Sequence, residues 1–156
     1  MTSADRSPPR PRPEPIRPPP AELRLRFDIG GLRDLRARVA AHAGQAGASQ
    51  DQIERLLIVA CELATNAIRH GGGTGQLRMW HEDGTITCQV TDKGPGIADP
   101  TVGTTKPDLT DTDGHRGLWI CRQLSQTVEI HPNPDGPGVT VTAVVAREPV
   151  PGPASS

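Results

Sequence analysis

The sequence predicts an α+β domain, a two-layer sandwich with helices packed on one face of a mixed β-sheet. Segments alternating apolar and polar residues, the mark of half-buried strands, occur at the start, middle and end of the patterned region. Between them lie segments whose apolar residues recur at helical spacing. The order is strand, helix, helix, two strands, a long unpatterned segment, helix, two strands, which two packed layers accommodate most simply.

Residues 1–21 alternate Pro with Arg, as in Arg10-Pro11-Arg12-Pro13. Such a stretch offers nothing to bury and is expected to be disordered or extended. It is a solvated leader or a basic tail for an acidic or proline-reading partner. The folded domain is expected over 22–146, with a second Pro/Gly/Ser-rich tail over 147–156.

Leu23, Leu25, Phe27 and Ile29 alternate with charged residues, which reads as a first strand ended by Gly30-Gly31. Leu32, Leu35, Val39 and Ala43 form the inner stripe of a helix whose Arg33, Arg36 and Arg38 face outward, with Gly44 and Gly47 breaking it. Ser49 can cap a second helix, Asp51 suits its positive end, and Gly71-Gly72-Gly73 stops it. At about 100° per residue, Glu62, Asn66, Arg69 and His70 share one side of this helix. Ile53, Leu57, Ala60, Ala64 and Ala67 take the other, and Ile58 and Val59 flank the polar stripe, so the helix should be buried around most of its circumference. A carboxylate and an amide in that setting are costly unless something polar meets them.

Leu77, Met79 and His81 alternate along the next strand, and Asp83-Gly84 is a strong two-residue hairpin signal. The return strand turns Ile86, Cys88 and Val90 to one face and ends in Asp92. Residues 97–115 lack periodicity, and a connection of that length is usually a functional lid or disordered. A third helix follows with Leu118, Cys121 and Leu124 inward. Strands around 128–130 and 139–145 close the domain across Asn133-Pro134-Asp135-Gly136.

Composition narrows the function. A net charge of −1 argues against a nucleic-acid binder relying on a basic field. Phe27, Trp80 and Trp119 are the only aromatics, too few for a base-stacking platform. Cys61, Cys88 and Cys121 lie in apolar segments without a CxxC pair, which suits buried thiols in a reducing compartment. No stretch reads as a signal peptide or a bilayer span, so a cytoplasmic protein is expected.

Three constellations permit chemistry. In Glu62/Asn66/His70, the amide oxygen of Asn66 suits Mg²⁺, which takes few protein ligands. Glu62, one turn earlier, can act as a general base. Alternatively Glu62 bonds a neighbouring backbone group and Asn66 and His70 serve the helix end. In Asp92-Lys93-Gly94-Pro95-Gly96-Ile97, the carboxylate could accept from the exocyclic amine of adenine while glycines admit a flat ring. Alternatively Asp92 bonds its own backbone in a turn. Gly114-His115-Arg116-Gly117-Leu118 opens a helix, whose free N–H groups and dipole favour phosphate, with Arg116 adding charge-assisted bonds. Alternatively it is a glycine hinge.

ExxxNxxxH on a helix, DxGxG at a strand end and GxxG opening a helix, in that order, resemble the N, G1 and G2 boxes of the GHKL ATPases over residues 22–146. The stretches ELATNAIRHG, DKGPGI and RGLWICRQL in a domain this size look most like bacterial anti-sigma factor serine kinases, close in style to the small actinobacterial regulators of that group.

The resemblance implies an ATP- and Mg²⁺-dependent serine/threonine kinase. It would phosphorylate an anti-anti-sigma protein of the STAS type, sequester a sigma factor and form a homodimer, without touching nucleic acid or membrane. Glu62 would be the base and Asn66 would hold Mg²⁺. Asp92, Gly94, Gly96 and Ile97 would read adenine, and Gly114, Arg116, Gly117 and Leu118 would line the phosphates. His70 and Thr140, the latter in a late Gly-x-Thr segment (Gly138-Val139-Thr140), would complete the ATP site. One departure stands out: His115 occupies the place where well-studied anti-sigma kinases carry Arg, and Arg116 comes one residue later. Two alternatives follow. One is a nucleotide-gated module that binds a partner without efficient transfer; the other is a detached histidine-kinase catalytic domain acting in trans.

Overall fold

The computed structural model describes residues 22–94, 115–134 and 136–148. Their strands are β1 (Leu23–Asp28), β2 (Thr74–Glu82), β3 (Thr85–Thr91), β4 (Thr127–Pro132) and β5 (Val139–Val145). The α-helices are α1 (Leu32–Gln45), α2 (Gln50–His70) and α3 (His115–Leu124), and a short 3-10 turn (Ile29–Gly31) leads into α1. The two-layer α+β architecture matches the sequence reading. The sheet order is β1-β2-β3-β5-β4. Each of its pairings is antiparallel, which corrects the expected mixed sheet. The physical reason is that the connection carrying α3 delivers the chain to β4 at the sheet edge. β5 then folds back between β4 and β3, antiparallel to both.

Local signals account for most boundaries. Ser49 Oγ accepts from the Gln52 amide at 3.1 Å and caps α2, while the Gly71 amide donates to Ala67 O at its end. Asp83 and Gly84 both have positive φ, 51° and 80°, as the predicted hairpin turn requires. Ile29 leaves the strand pattern: β1 stops at Asp28, whose side chain accepts from the Gly30 amide, and Ile29 is 76% exposed. Gly44 does not break α1, which runs on to Gln45.

α2 lies over β2, β3 and β5, with α1 packed on one side of it and α3 on the other. Its buried apolar residues are Leu56, Val59, Ala60, Leu63, Ala64 and Ala67, spaced i, i+3, i+4, i+7, i+8, i+11. This corrects the expected arc. Val59 is fully buried, Ile53 and Leu57 are only partly so, and Ile58 is 43% exposed. The helix therefore has a wet face, and Glu62 and Asn66 are half-buried on it. Their desolvation cost is smaller than a fully buried helix would impose.

Opposite α2 the sheet presents Leu77, Met79, Ile86, Cys88, Val90, Val141, Ala143 and Val145, all buried. His81 continues the inward face of β2, opposite Ile86, but lies at its exposed end, whereas Trp80 is buried on the opposite side of that strand. Leu118 and Cys121 of α3 are in the core, with Leu124 at its margin. Among the described residues no helix is long and apolar enough to cross a membrane.

Candidate functional site

The wet face of α2 meets two other elements at its C-terminal half. Gly117, in the first turn of α3, sits so close that a Cβ there would lie 2.6 Å from Glu62 Oε2 and 3.5 Å from Asn66 Nδ2. A side chain at 117 would fill the space that Glu62 and Asn66 face. Among the described residues neither side chain has a hydrogen-bond partner. Arg116, one residue earlier, is exposed at the α3 N-terminus.

The second meeting is at the helix end. Gly71 approaches Asp92 so closely that a Cβ would lie 2.4 Å from the Asp92 carboxyl carbon. A Cβ at Gly94 would lie 2.4 Å from Gly71 Cα. The strand end carrying Asp92 is thus pressed against the end of α2, and only glycines permit it. Gly94 donates its amide to Asp92 Oδ1 at 3.0 Å, the turn that the residue types allowed. Among the described residues Oδ2 has no partner, leaving one carboxylate oxygen to accept from a ligand.

The fold therefore brings Glu62, Asn66, Asp92, Gly94 and Gly117 to one end of α2. It treats other expected site residues differently. His70 is exposed at the last position of α2. Leu118 is 2% exposed and belongs to the core. Thr140 stands apart from the α2 face. It lies on the sheet face turned away from α2, sharing a hydrogen bond with Thr91 Oγ1 at 3.0 Å and donating to Asn133 Oδ1 at 2.8 Å. Strand alternation is the reason: Val139 and Val141 point to the core, so Thr140 cannot. Gly96, Ile97 and Gly114 fall outside the described residues. In the sequence Gly71 marks only a helix stop. Its being the first of three consecutive glycines was the available signal, since a stop needs one.

The electrostatics around the site are simple. Burial, then the neighbouring Cys88 and Glu62, pushes the Cys121 thiol well above its ordinary value. Burial, then Cys61, pushes the Cys88 thiol up to about 12. Both thiols are therefore protonated, apolar packing groups and not nucleophiles. Cys61 is half-buried, not fully so, and its Sγ accepts from Arg36 Nη1 at 3.1 Å. Among the described residues no three His, Cys, Asp or Glu side chains converge as a metal cage. Mg²⁺ does not require one, since it keeps most of its waters and suits a site with one amide oxygen and substrate phosphates.

A helical layer carrying a polar stripe over an antiparallel sheet, with glycine-permitted approaches on both sides of that stripe, is the build of a nucleotide-binding α+β sandwich. Residues 25–144 match the histidine kinase-like ATPase domain, and the chain belongs to that family. An anti-sigma F factor from Heyndrickxia coagulans is 37% identical over 123 residues, covering 70% of this chain and 82% of the relative. An anti-sigma F factor from Geobacillus kaustophilus strain HTA426 is 33% identical over 100 residues, covering 56% of this chain and 68% of the relative. The resemblance to anti-sigma kinases drawn from the three boxes thus holds across most of the domain. The same fold occurs in the crystal structure of the RsbU and RsbW domains of Rv1364c from Mycobacterium tuberculosis. The TM-score there is 0.60 at 21% identity, over 83% of this chain and about a third (33%) of that one.

Proposed function

We propose that the chain is an ATP-dependent protein serine/threonine kinase and anti-sigma regulator. It phosphorylates a STAS-type anti-anti-sigma protein and sequesters a sigma factor, in the cytoplasm and as a homodimer. The observation that carries this reading is the pair Glu62 and Asn66, bonded to no other described residue and facing Gly117, with Asp92 held against Gly71 at the end of the same helix. The two anti-sigma F factor relatives support the choice of branch.

In this reading Asp92 Oδ2 accepts from the exocyclic amine of adenine, and Gly94 and Gly71 keep the space beside it clear. The α3 N-terminus and Arg116 receive the phosphates, where N–H groups and the helix dipole favour negative charge. Asn66 would hold Mg²⁺, which neutralises phosphate charge when bound. Glu62 takes the proton of the acceptor Ser or Thr hydroxyl as that oxygen bonds the γ-phosphorus. The bond from the γ-phosphorus to the β–γ bridging oxygen breaks, and ADP leaves with the electron pair. Positioning and charge neutralisation supply most of the rate, with the base adding about 10²–10⁴-fold.

The test is transfer from γ-labelled ATP to STAS-domain proteins of the same genome. An acid-stable label on a serine or threonine is expected. Glu62→Ala should lower transfer by about 100-fold or more while ATP affinity stays within about threefold. Asp92→Asn should lose binding itself. ATP binding with no labelled partner would favour the second reading, a nucleotide-gated binder, which the His115 departure motivates. An acid-labile label would instead identify a histidine kinase acting in trans.

A further inference from the structure

Asn133 follows β4 in a segment the sequence marks only as a turn, yet its side chain is fully engaged. Nδ2 donates to Asp92 O at 2.7 Å and to Pro137 O at 3.1 Å, using both amide hydrogens. Oδ1 accepts from Thr140 Oγ1 at 2.8 Å. A threonine hydroxyl has one hydrogen, so with Thr140 donating to Asn133, Thr91 must donate to Thr140. The chain Thr91 to Thr140 to Asn133 therefore has one direction and fixes which way the amide points. Asp92 is held at its nitrogen as well, donating to Val139 O at 3.0 Å. Gly138 closes the arrangement: its φ is +107°, and a Cβ there would lie 2.0 Å from Asp92 O.

Both backbone polar groups of Asp92 are thus tied to the β4–β5 side of the sheet, while its carboxylate is tied by Gly94 and wedged against Gly71. An aspartate at the end of a strand would otherwise be free to rotate about its backbone with the connection that follows. We infer that Asn133, oriented by Thr140, is a positioning residue for base recognition, because its amide clamps the Asp92 backbone so that Oδ2 is presented to the exocyclic amine of the purine. Thr140 then serves the nucleotide site from the far face of the sheet, through Asn133. The inference rests on the proposed nucleotide reading of Asp92. Asp cannot replace Asn133, since a carboxylate offers no donor to either carbonyl; Gln adds a methylene to a side chain whose three bonds already have ordinary lengths.

The test compares the full chain's equilibrium affinity, with Mg²⁺, for ATP, for purine riboside triphosphate (which lacks the amine) and for inorganic tripolyphosphate. Wild type should prefer ATP over the amine-lacking analogue by about tenfold or more, the usual scale of a hydrogen bond to a charged acceptor. Asn133→Ala should reduce that preference to within about twofold while tripolyphosphate affinity stays unchanged. Thr140→Val should reduce it in the same direction and Thr140→Ser should restore it. An Asn133→Ala protein that keeps the preference overturns the inference. So does one that loses tripolyphosphate affinity in parallel, since that marks a general structural defect. If Asn133→Ala does not fold, Thr140→Val decides, and full preference in it overturns the inference. A wild-type protein that does not distinguish the two nucleotides overturns the adenine role of Asp92 itself, and the inference with it.

Discussion

At Gly117 the fold and the proposed kinase function respond differently to one added methyl group. Alanine is the better helix former by up to about 1 kcal/mol, so Gly117→Ala should leave α3 as stable or more so. The added methyl would meet Glu62 Oε2 at 2.6 Å, and that oxygen is the far end of a flexible side chain. The carboxylate moves aside and the fold survives. The expected result is a melting temperature unchanged or slightly raised, with phosphoryl transfer down by about 100-fold, measured on the same preparation. Gly71 presents the opposite case. A methyl there would meet Ala67 O at 2.5 Å as well as Asp92, and a backbone oxygen cannot step aside. Sequence alone gave both residues as glycines in suggestive places, but not which of them guards space and which guards backbone.

α2 shows how much an element's own sequence tells. Its cap at Ser49, its acidic first turn and its glycine end were all legible, because capping bonds join residues three or four apart. The centre of its buried arc was not. Ile53 and Leu57 are as hydrophobic as Leu56 and Leu63, and the choice between them belongs to the sheet beneath and the helices beside. α1 offers an element-scale prediction. Burial, then the charge of His81 on β2, lowers the His42 pKa from 6.5. The unfolded chain therefore takes up a proton at higher pH than the folded one does. The stabilisation is complete above pH 6.5 and is lost as pH falls from there through the lowered folded value. Thermal melts of wild type at stepped pH between 7.5 and 5 should show that fall, and His42→Gln should flatten part of it.

Across the whole molecule, Gln52 ties the layers together. It is 2% exposed, and its Nε2 donates to Gly84 O at 3.0 Å and Val145 O at 3.1 Å. One side chain near the start of α2 thus holds the β2–β3 turn and the end of β5. Arg55 extends the clamp, pairing with Asp51 at 2.9 Å and donating to Arg147 O at 2.8 Å. Gln52→Leu leaves two carbonyls without their donor and should cost about 1–3 kcal/mol. Chemical denaturation should show this as a lower midpoint at unchanged slope.

By itself the sequence determined the kind and order of the strands and α-helices among the described residues, the α+β class, and the three boxes that contain Glu62, Asn66, Asp92 and Gly117. Each of these is written locally, in periodicity, caps and turns that act over a few residues. Only the tertiary structure decided that the sheet is antiparallel throughout and that Thr140 faces away from α2. It alone showed that Asn133 and Gly138, more than forty positions from Asp92 in the chain, hold that residue in place. Those contacts cross between strands that are neighbours only because β5 returns between β4 and β3. No local pattern encodes that return, since each strand's alternation is equally satisfied by any partner presenting an apolar face.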